Sequence, residues 1–264
     1  MKVLIGTDLE GVAGVVSFEQ QVYDNAKYYE AAKKLLTAEV NAAVEGLLEA
    51  GADDILVSDG HGPGAIHFES LHPKAKLLHG RPVPSQDIKR KVYASYDVAI
   101  MIGQHAMAGI QTGNLNHTQS SSKIDYYKLN GKKIGEIAQF ALMNGALGTP
   151  LIFLSGDEAA CREAEELIPG IETAAVKQGL GRNSAISLSA QAAAEKIRKG
   201  AAAALRKYLA SPVKPFTMEG PFVLEKRFFH TDTVDAFDSN PRYKRIDPQT
   251  VQISSDNILD IIYA

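Results

Sequence analysis

Four short apolar runs, each ending in polar or acidic residues, constrain this chain more than any other feature of its sequence. They are KVLIGTD (2–8), DDILVSD (53–59), KAKLLHG (74–80) and YDVAIMIGQH (96–105). A strand with one face in water alternates apolar and polar residues, whereas these runs are apolar on both faces, as strands covered by helices on each side require. Between the first two runs, residues from about 26 to 50 place Tyr29, Ala32, Leu35, Leu36, Val40, Ala43, Val44, Leu47 and Leu48 near helical spacing, and Gly51 is suited to stop that helix. Strands alternating with helices predict an α/β fold: an open, mainly parallel sheet flanked by helices.

The pattern changes at KIDYYKLNGKKIGE (123–136), where Asn130-Gly131 between strand-like flanks predicts a hairpin, since both turn positions tolerate positive φ. A helix is expected over 136–147, a strand at PLIFLSGD (150–157), a helix at DEAACREAEELI (157–168) and a strand at IETAAVKQG (171–179). An alanine-rich helix follows over 189–209 despite Gly200, and Pro212 and Pro215 mark a linker. Beyond it, GPFVLEKRFF, YKRID and TVQISS predict a small β-rich region closed by a short helix at 256–263. The expected division is an α/β domain over 1–210 and a small C-terminal α+β region over 211–264.

Several function classes are disfavoured at this stage. The formal net charge of −3 supplies no basic field for phosphate backbones, so nucleic acid is not an expected partner. Cys161 is the only cysteine, which rules out an intramolecular disulfide and fits a reducing compartment. It sits in an expected helix and reads as a packing residue rather than a nucleophile. The first apolar run is too short for a signal-peptide core, and no later run reaches membrane-spanning length, so a soluble, cytoplasmic protein with no membrane partner is expected. The glycine-rich GHGPGA (60–65) matches neither the P-loop nor the dinucleotide fingerprint, and no G-x-S-x-G nucleophile elbow occurs.

What remains is the chemistry at the strand ends. In open α/β sheets ligands collect beyond the carboxyl ends of the strands. The first run ends in Asp8, with Glu10 two residues on; the second ends at Ser58-Asp59-Gly60-His61-Gly62; the fourth ends at Gly103-Gln104-His105. Carboxylates and imidazoles together suit Zn²⁺ and tolerate Mn²⁺ or Co²⁺. Each residue alone has an ordinary role: Asp8 as a turn cap, Glu10 as a surface acid, His61 in a turn, His105 in the core. Glu136 could serve a helix dipole, and His117 in GNLNHTQS could be a polar loop residue. Convergence is what favours a metal rim. Asp8, Glu10 and Glu136 would place three negative charges in one pocket, which divalent cations would offset. His67, His72, His79 and His230 show no such convergence. Lys177 and Arg182 are candidates to bind a substrate carboxylate, or else loop charges.

The segments TDLEG (7–11), SDGHG (58–62), GQHA (103–106), NHT (116–118) and GE (135–136) resemble, in order, the zinc D-aminopeptidases, bacterial metallopeptidases associated with dipeptide-transport operons. The resemblance continues through residues 155–182. It implies two Zn²⁺ ions per chain, with Asp8 bridging them, Glu10 and His61 completing one site, and His105 and Glu136 the other. It implies His117 as the catalytic histidine and release of N-terminal D-amino acids, typically D-alanine, from short peptides. The implied assembly is a homodecamer of two stacked five-membered rings. The rival readings are a two-metal phosphoesterase with the same ligands and a non-catalytic peptide-binding protein of the same fold.

Overall fold

A computed structural model describes residues 1–264. Its main sheet has seven strands in the order β3-β2-β1-β4-β7-β8-β9. These are β1 (Lys2–Thr7), β2 (Asp54–Asp59), β3 (Ala75–Leu78), β4 (Val98–Gln104), β7 (Leu151–Asp157), β8 (Glu172–Gly181) and β9 (Ser184–Ser187). All neighbours pair in parallel except β9, which returns antiparallel to β8. The mainly parallel sheet flanked by helices is the architecture the apolar runs predict.

Those runs are apolar throughout because both faces of the sheet are covered. On one face Val3 and Ile5 of β1, with Val98, Ile100 and Ile102 of β4, pack against α1 (Tyr29–Glu49) and α5 (Ala190–Ala210). Leu4, Ala99 and Met101 point the other way, towards α3 (Glu136–Ala146) and α4 (Glu158–Leu167). Strand geometry sends successive side chains to opposite faces, so a doubly covered strand needs both parities apolar.

A second sheet, entirely antiparallel, lies on the α3/α4 side in the order β11-β12-β10-β5-β6. Its strands are β5 (Ile124–Leu129), β6 (Lys132–Ile134), β10 (Phe222–Phe228), β11 (Lys244–Asp247) and β12 (Thr250–Ser255). Asn130 and Gly131 take φ of 49° and 81° and form the expected hairpin turn. This sheet draws strands from both sides of residue 210: β5 from the middle of the chain pairs with β10 after the linker. A two-stranded hairpin is marginal alone, and β10 covers its open edge.

Three elements carry no sequence signal that the apolar pattern could show. The helix α2 (Gln86–Tyr93) buries only Tyr93, β9 is four residues long, and Phe18–Val22 forms a single π-type turn. The helix expected over 256–263 is a 3₁₀ turn at Ile258–Asp260 instead. A short α6 (Thr231–Asp235) completes the set.

The rim at the carboxyl ends of β1 and β4 is tightly drawn. Asp8 N–H donates to the Ile102 carbonyl at 2.9 Å and Gly11 N–H to the Gly103 carbonyl at 2.7 Å. A Cβ on Gly11 would lie 1.9 Å from the Gln104 carbonyl oxygen, and one on Gly103 (φ +78°) would lie 2.1 Å from that of Asp8. Glycine is therefore what lets these two loops touch. Gly103→Ala is expected to destabilise by about 2 kcal/mol or more, from positive φ together with backbone overlap. A urea titration of that variant checks it; an unchanged midpoint would show that the loops part freely.

Candidate metal centre

Asp8 follows β1, Glu10 lies two residues further, His61 sits in the turn after β2 and His105 directly follows β4. Glu136 is the first residue of α3, with Gly135 as its N-cap. His117 comes from the long loop between β4 and β5, where Leu115 (φ 54°) and Gln119 (φ 61°) hold left-handed backbone. Such strain persists only where the surroundings enforce it. Here Leu115 is fully buried and its N–H donates to the Arg182 carbonyl at 2.7 Å, while Asn114 Nδ2 donates to the same carbonyl at 3.0 Å. All six residues predicted from sequence thus lie in one group.

Their geometry is specific. His61 Nδ1 is 3.2 Å from both Asp8 Oδ1 and Glu10 Oε2. His105 Nε2 is 3.2 Å from Asp8 Oδ2 and 3.5 Å from Glu136 Oε1. His117 Nε2 stands further back, 3.9 Å from Glu10 Oε1 and 3.8 Å from Glu136 Oε1. The two oxygens of Asp8 therefore face two different histidines. The His105 and His117 rings stack with centroids 4.0 Å apart, and His117 meets the Phe18 ring edge-on at 5.5 Å.

The outer ring nitrogens fix the tautomers. His61 Nε2–H donates to the Val22 carbonyl at 3.2 Å, His105 Nδ1–H to Ala106 at 2.9 Å and His117 Nδ1–H to Leu115 at 3.0 Å. A neutral ring has one N–H, so each inward nitrogen presents a lone pair towards carboxylate oxygens. Lone pairs facing carboxylate oxygens at 3.2 Å need a positive charge between them, which a metal ion, or a proton on each imidazole, would supply. Glu10 Oε2 and His105 Nε2 are buried without a hydrogen-bond partner, as metal-ligand atoms would be. Two atoms each about 2.0–2.1 Å from a tetrahedral Zn²⁺ lie roughly 3.3 Å apart, close to the observed spacings. The donor set fits the ion.

The electrostatics agree. Burial opposes charge on His61 and His105, yet Glu10 and Asp8 around the first, and Asp8 and Glu136 around the second, raise both imidazoles well above their ordinary value. Burial also works against ionised Asp8 and Glu136, but hydrogen bonds and charge from the histidines hold both carboxyls below theirs. The pocket is built to hold positive charge between these groups.

Supporting residues surround the site that composition and periodicity did not reveal. Arg81 donates its guanidinium to the backbone carbonyls of Asp59, His61, Gly62 and Gly80, bracing the His61 turn. Lys177, a candidate for binding substrate, is instead buried behind the site. Its ammonium donates to the carbonyls of Glu10 and Val15 and to Asn114 Oδ1, which occupies all three donors, and burial pushes its pKa down to about 8. Arg182 is exposed, stacks over the Phe18 ring at 4.7 Å and does not line the cavity. Cys161 is buried, and burial pushes its thiol up to about 12, as befits a packing residue. No helix is long and apolar enough to cross a membrane.

A cavity of about 670 Å³ opens onto Asp8, Glu10, His61, His117 and Glu136. Buried imidazoles and carboxylates converging on an accessible cavity, at the carboxyl edge of a parallel sheet, are the features of the metal-site class of α/β proteins. The chain's relatives narrow that class. A sequence model of the D-aminopeptidase family of peptidases matches residues 1–264, and the chain belongs to that family. A D-aminopeptidase of Bacillus subtilis (strain 168) is 30% identical over 229 residues, covering 86% of this chain and 81% of that protein. Among solved structures, the Zn-dependent D-aminopeptidase DppA from Bacillus subtilis, described as a self-compartmentalizing protease, superposes with a TM-score of 0.89 at 26% identity. That match covers 99% of this chain and 94% of DppA.

Proposed function

We propose that this protein is a zinc-dependent aminopeptidase holding two Zn²⁺ ions per chain, which releases N-terminal D-amino acids such as D-alanine from short peptides. The observation that carries the two-ion reading is Asp8, whose oxygens each face a separate histidine at 3.2 Å. Glu10 and His61 would complete one site, and His105 and Glu136 the other; Mn²⁺ or Co²⁺ could occupy the same donors. When bound, zinc supplies Lewis-acid polarisation of the scissile carbonyl and a water of lowered pKa.

The chain's own residues do the rest. His117 Nε2 faces the cavity rim with its Nδ1–H committed to Leu115, so it is placed to take and return a proton during amide hydrolysis. Its Nε2 lies 3.9 Å from Glu10 Oε1 and 3.8 Å from Glu136 Oε1, beside the carboxylates of the site. The cavity volume suits a short peptide rather than a folded chain. By analogy with the self-compartmentalizing relative, a homo-oligomer is proposed, a homodecamer in its fullest form. A lone, buried cysteine fits the cytoplasm.

The test is metal quantification on the purified protein combined with hydrolysis of matched D-Ala and L-Ala dipeptides. Two zinc per chain with D-selective turnover is the expected result. Turnover of phosphate esters without peptide hydrolysis would instead establish the phosphoesterase, which the cavity disfavours because Lys89 is the one lysine or arginine lining it. Tight peptide binding with no turnover under any of the three metals would establish the binding protein.

A further inference from the structure

The cavity is electrically lopsided. The acidic group described above lines one part of it, and Gln86, Lys89 and Tyr93 of α2 form a wall with Tyr263. On that wall stands Lys89. The buried lysines elsewhere have oxygen partners: the Lys177 ammonium donates to three oxygens and that of Lys226 to the Ala264 carbonyl. The Lys89 ammonium makes no ion pair and no hydrogen bond within the chain; its backbone N–H donates to the Ser85 carbonyl at 2.9 Å. Its Nζ lies 5.3 Å from the Tyr93 ring centroid and 5.6 Å from that of Tyr263. The nearby acid of its own helix, Asp87, is exposed and faces Arg90 at 3.7 Å. The other charge that acts on Lys89 is Arg81, which is positive, and burial together with that repulsion holds the lysine below its ordinary pKa.

A half-buried ammonium without an anion is costly unless a ligand supplies one. The rings beside it stabilise a cation modestly but do not satisfy its three donors. A peptide whose scissile bond lies at the metal group has one further charged end to place, its C-terminal carboxylate, and Lys89 is the only ammonium or guanidinium lining the cavity that could receive it.

We infer that Lys89 binds the free C-terminal carboxylate of the substrate, which makes the substrate class short peptide acids rather than peptide amides or the ends of longer chains. This rests on the peptidase reading and deepens it. The hydroxyl of Tyr93 is engaged with Ser58 Oγ at 2.6 Å, which anchors the ring that Lys89 Nζ approaches to 5.3 Å. A chain continuing past the residue bound there would bring a neutral amide, in place of a carboxylate, to the ammonium.

The probe is a dipeptide isostere of D-Ala-D-Ala with a reduced, non-hydrolysable linkage, made as the free acid and as the carboxamide. Calorimetric titration of the zinc-loaded protein is expected to show the acid binding roughly tenfold or more tighter, the scale of a hydrogen bond to a charged group. Lys89→Met should abolish that preference, and in turnover of D-Ala-D-Ala it should raise KM by a similar factor while leaving kcat within about twofold. Equal affinity for acid and carboxamide in the unaltered protein, or a preference that survives Lys89→Met, overturns the assignment even while D-Ala-D-Ala is hydrolysed, and the peptidase reading then stands alone. Absence of both binding and peptide hydrolysis overturns the two together. A normal circular dichroism spectrum and zinc content for Lys89→Met show that the change is local.

Discussion

Asp8→Asn is expected to lose zinc from both positions and to lower peptide turnover by on the order of a thousandfold or more, the scale seen when one member of a cooperating group is removed. The substitution changes almost no volume, so the fold has no packing reason to fail. It removes one negative charge from between His61 and His105 and replaces an oxygen lone pair with an amide N–H₂ that cannot ligate. Whichever way the amide turns, one of the two positions 3.2 Å from an inward-facing imidazole presents an N–H₂ in place of an oxygen able to ligate. The apo fold should persist, but the stabilisation that bound metal contributes to the native state should shrink. Zinc quantification and a melt with and without added zinc check both halves. Two tightly held ions and ordinary turnover in Asp8→Asn would remove Asp8 from the proposed ligands.

His117→Ala should behave differently. Its Nε2 lies 3.8–3.9 Å from the carboxylates, while the nitrogens assigned as ligands lie 3.2–3.5 Å away. The variant should keep two zinc ions and lose turnover by about 10²–10⁴-fold, the range attributed to a positioned acid or base. The opposite assignment has a geometric basis of its own, because His117, His105 and Glu136 also form a compact triplet of donor atoms. If His117→Ala purified with one zinc, the histidine would be a ligand and the proton work would pass to another group. The stacked His105 ring loses a neighbour in either case, so a modest loss of stability decides nothing; the metal count does.

The sequence exposed the parallel sheet because each of its central strands is apolar at both parities, a signature that survives without any knowledge of tertiary contacts. Asp8, Glu10, His61 and His105 were legible for the same reason: strand ends in such a sheet share a rim. Glu136 and His117 were not legible this way. One opens a helix and the other sits in a loop with left-handed residues, and neither position follows from periodicity; motif resemblance supplied them. Lys177 shows the reverse failure. A lysine after an apolar run reads as a surface charge, and only the carbonyls of Glu10 and Val15 reveal it as a buried clamp on the metal loop. Arg81 escaped notice because its partners are backbone oxygens, which have no residue identity to recognise. The helix α2 was missed because it is polar nearly throughout, and with it went the wall that carries Lys89.

The cavity is assembled from both halves of the chain. Every proposed ligand has appeared by residue 136, yet Tyr263 forms part of the wall, and Gln139 Nε2 donates to the Ile262 carbonyl at 2.6 Å to hold that segment in place. Chains emerge from the ribosome N-terminus first. The donors for metal are therefore synthesised well before the surface that faces the peptide is finished. A nascent chain would acquire its ion-binding groups early and its power to discriminate among peptides last, so that a partly made molecule has the means to capture zinc before it has a chamber in which to use it.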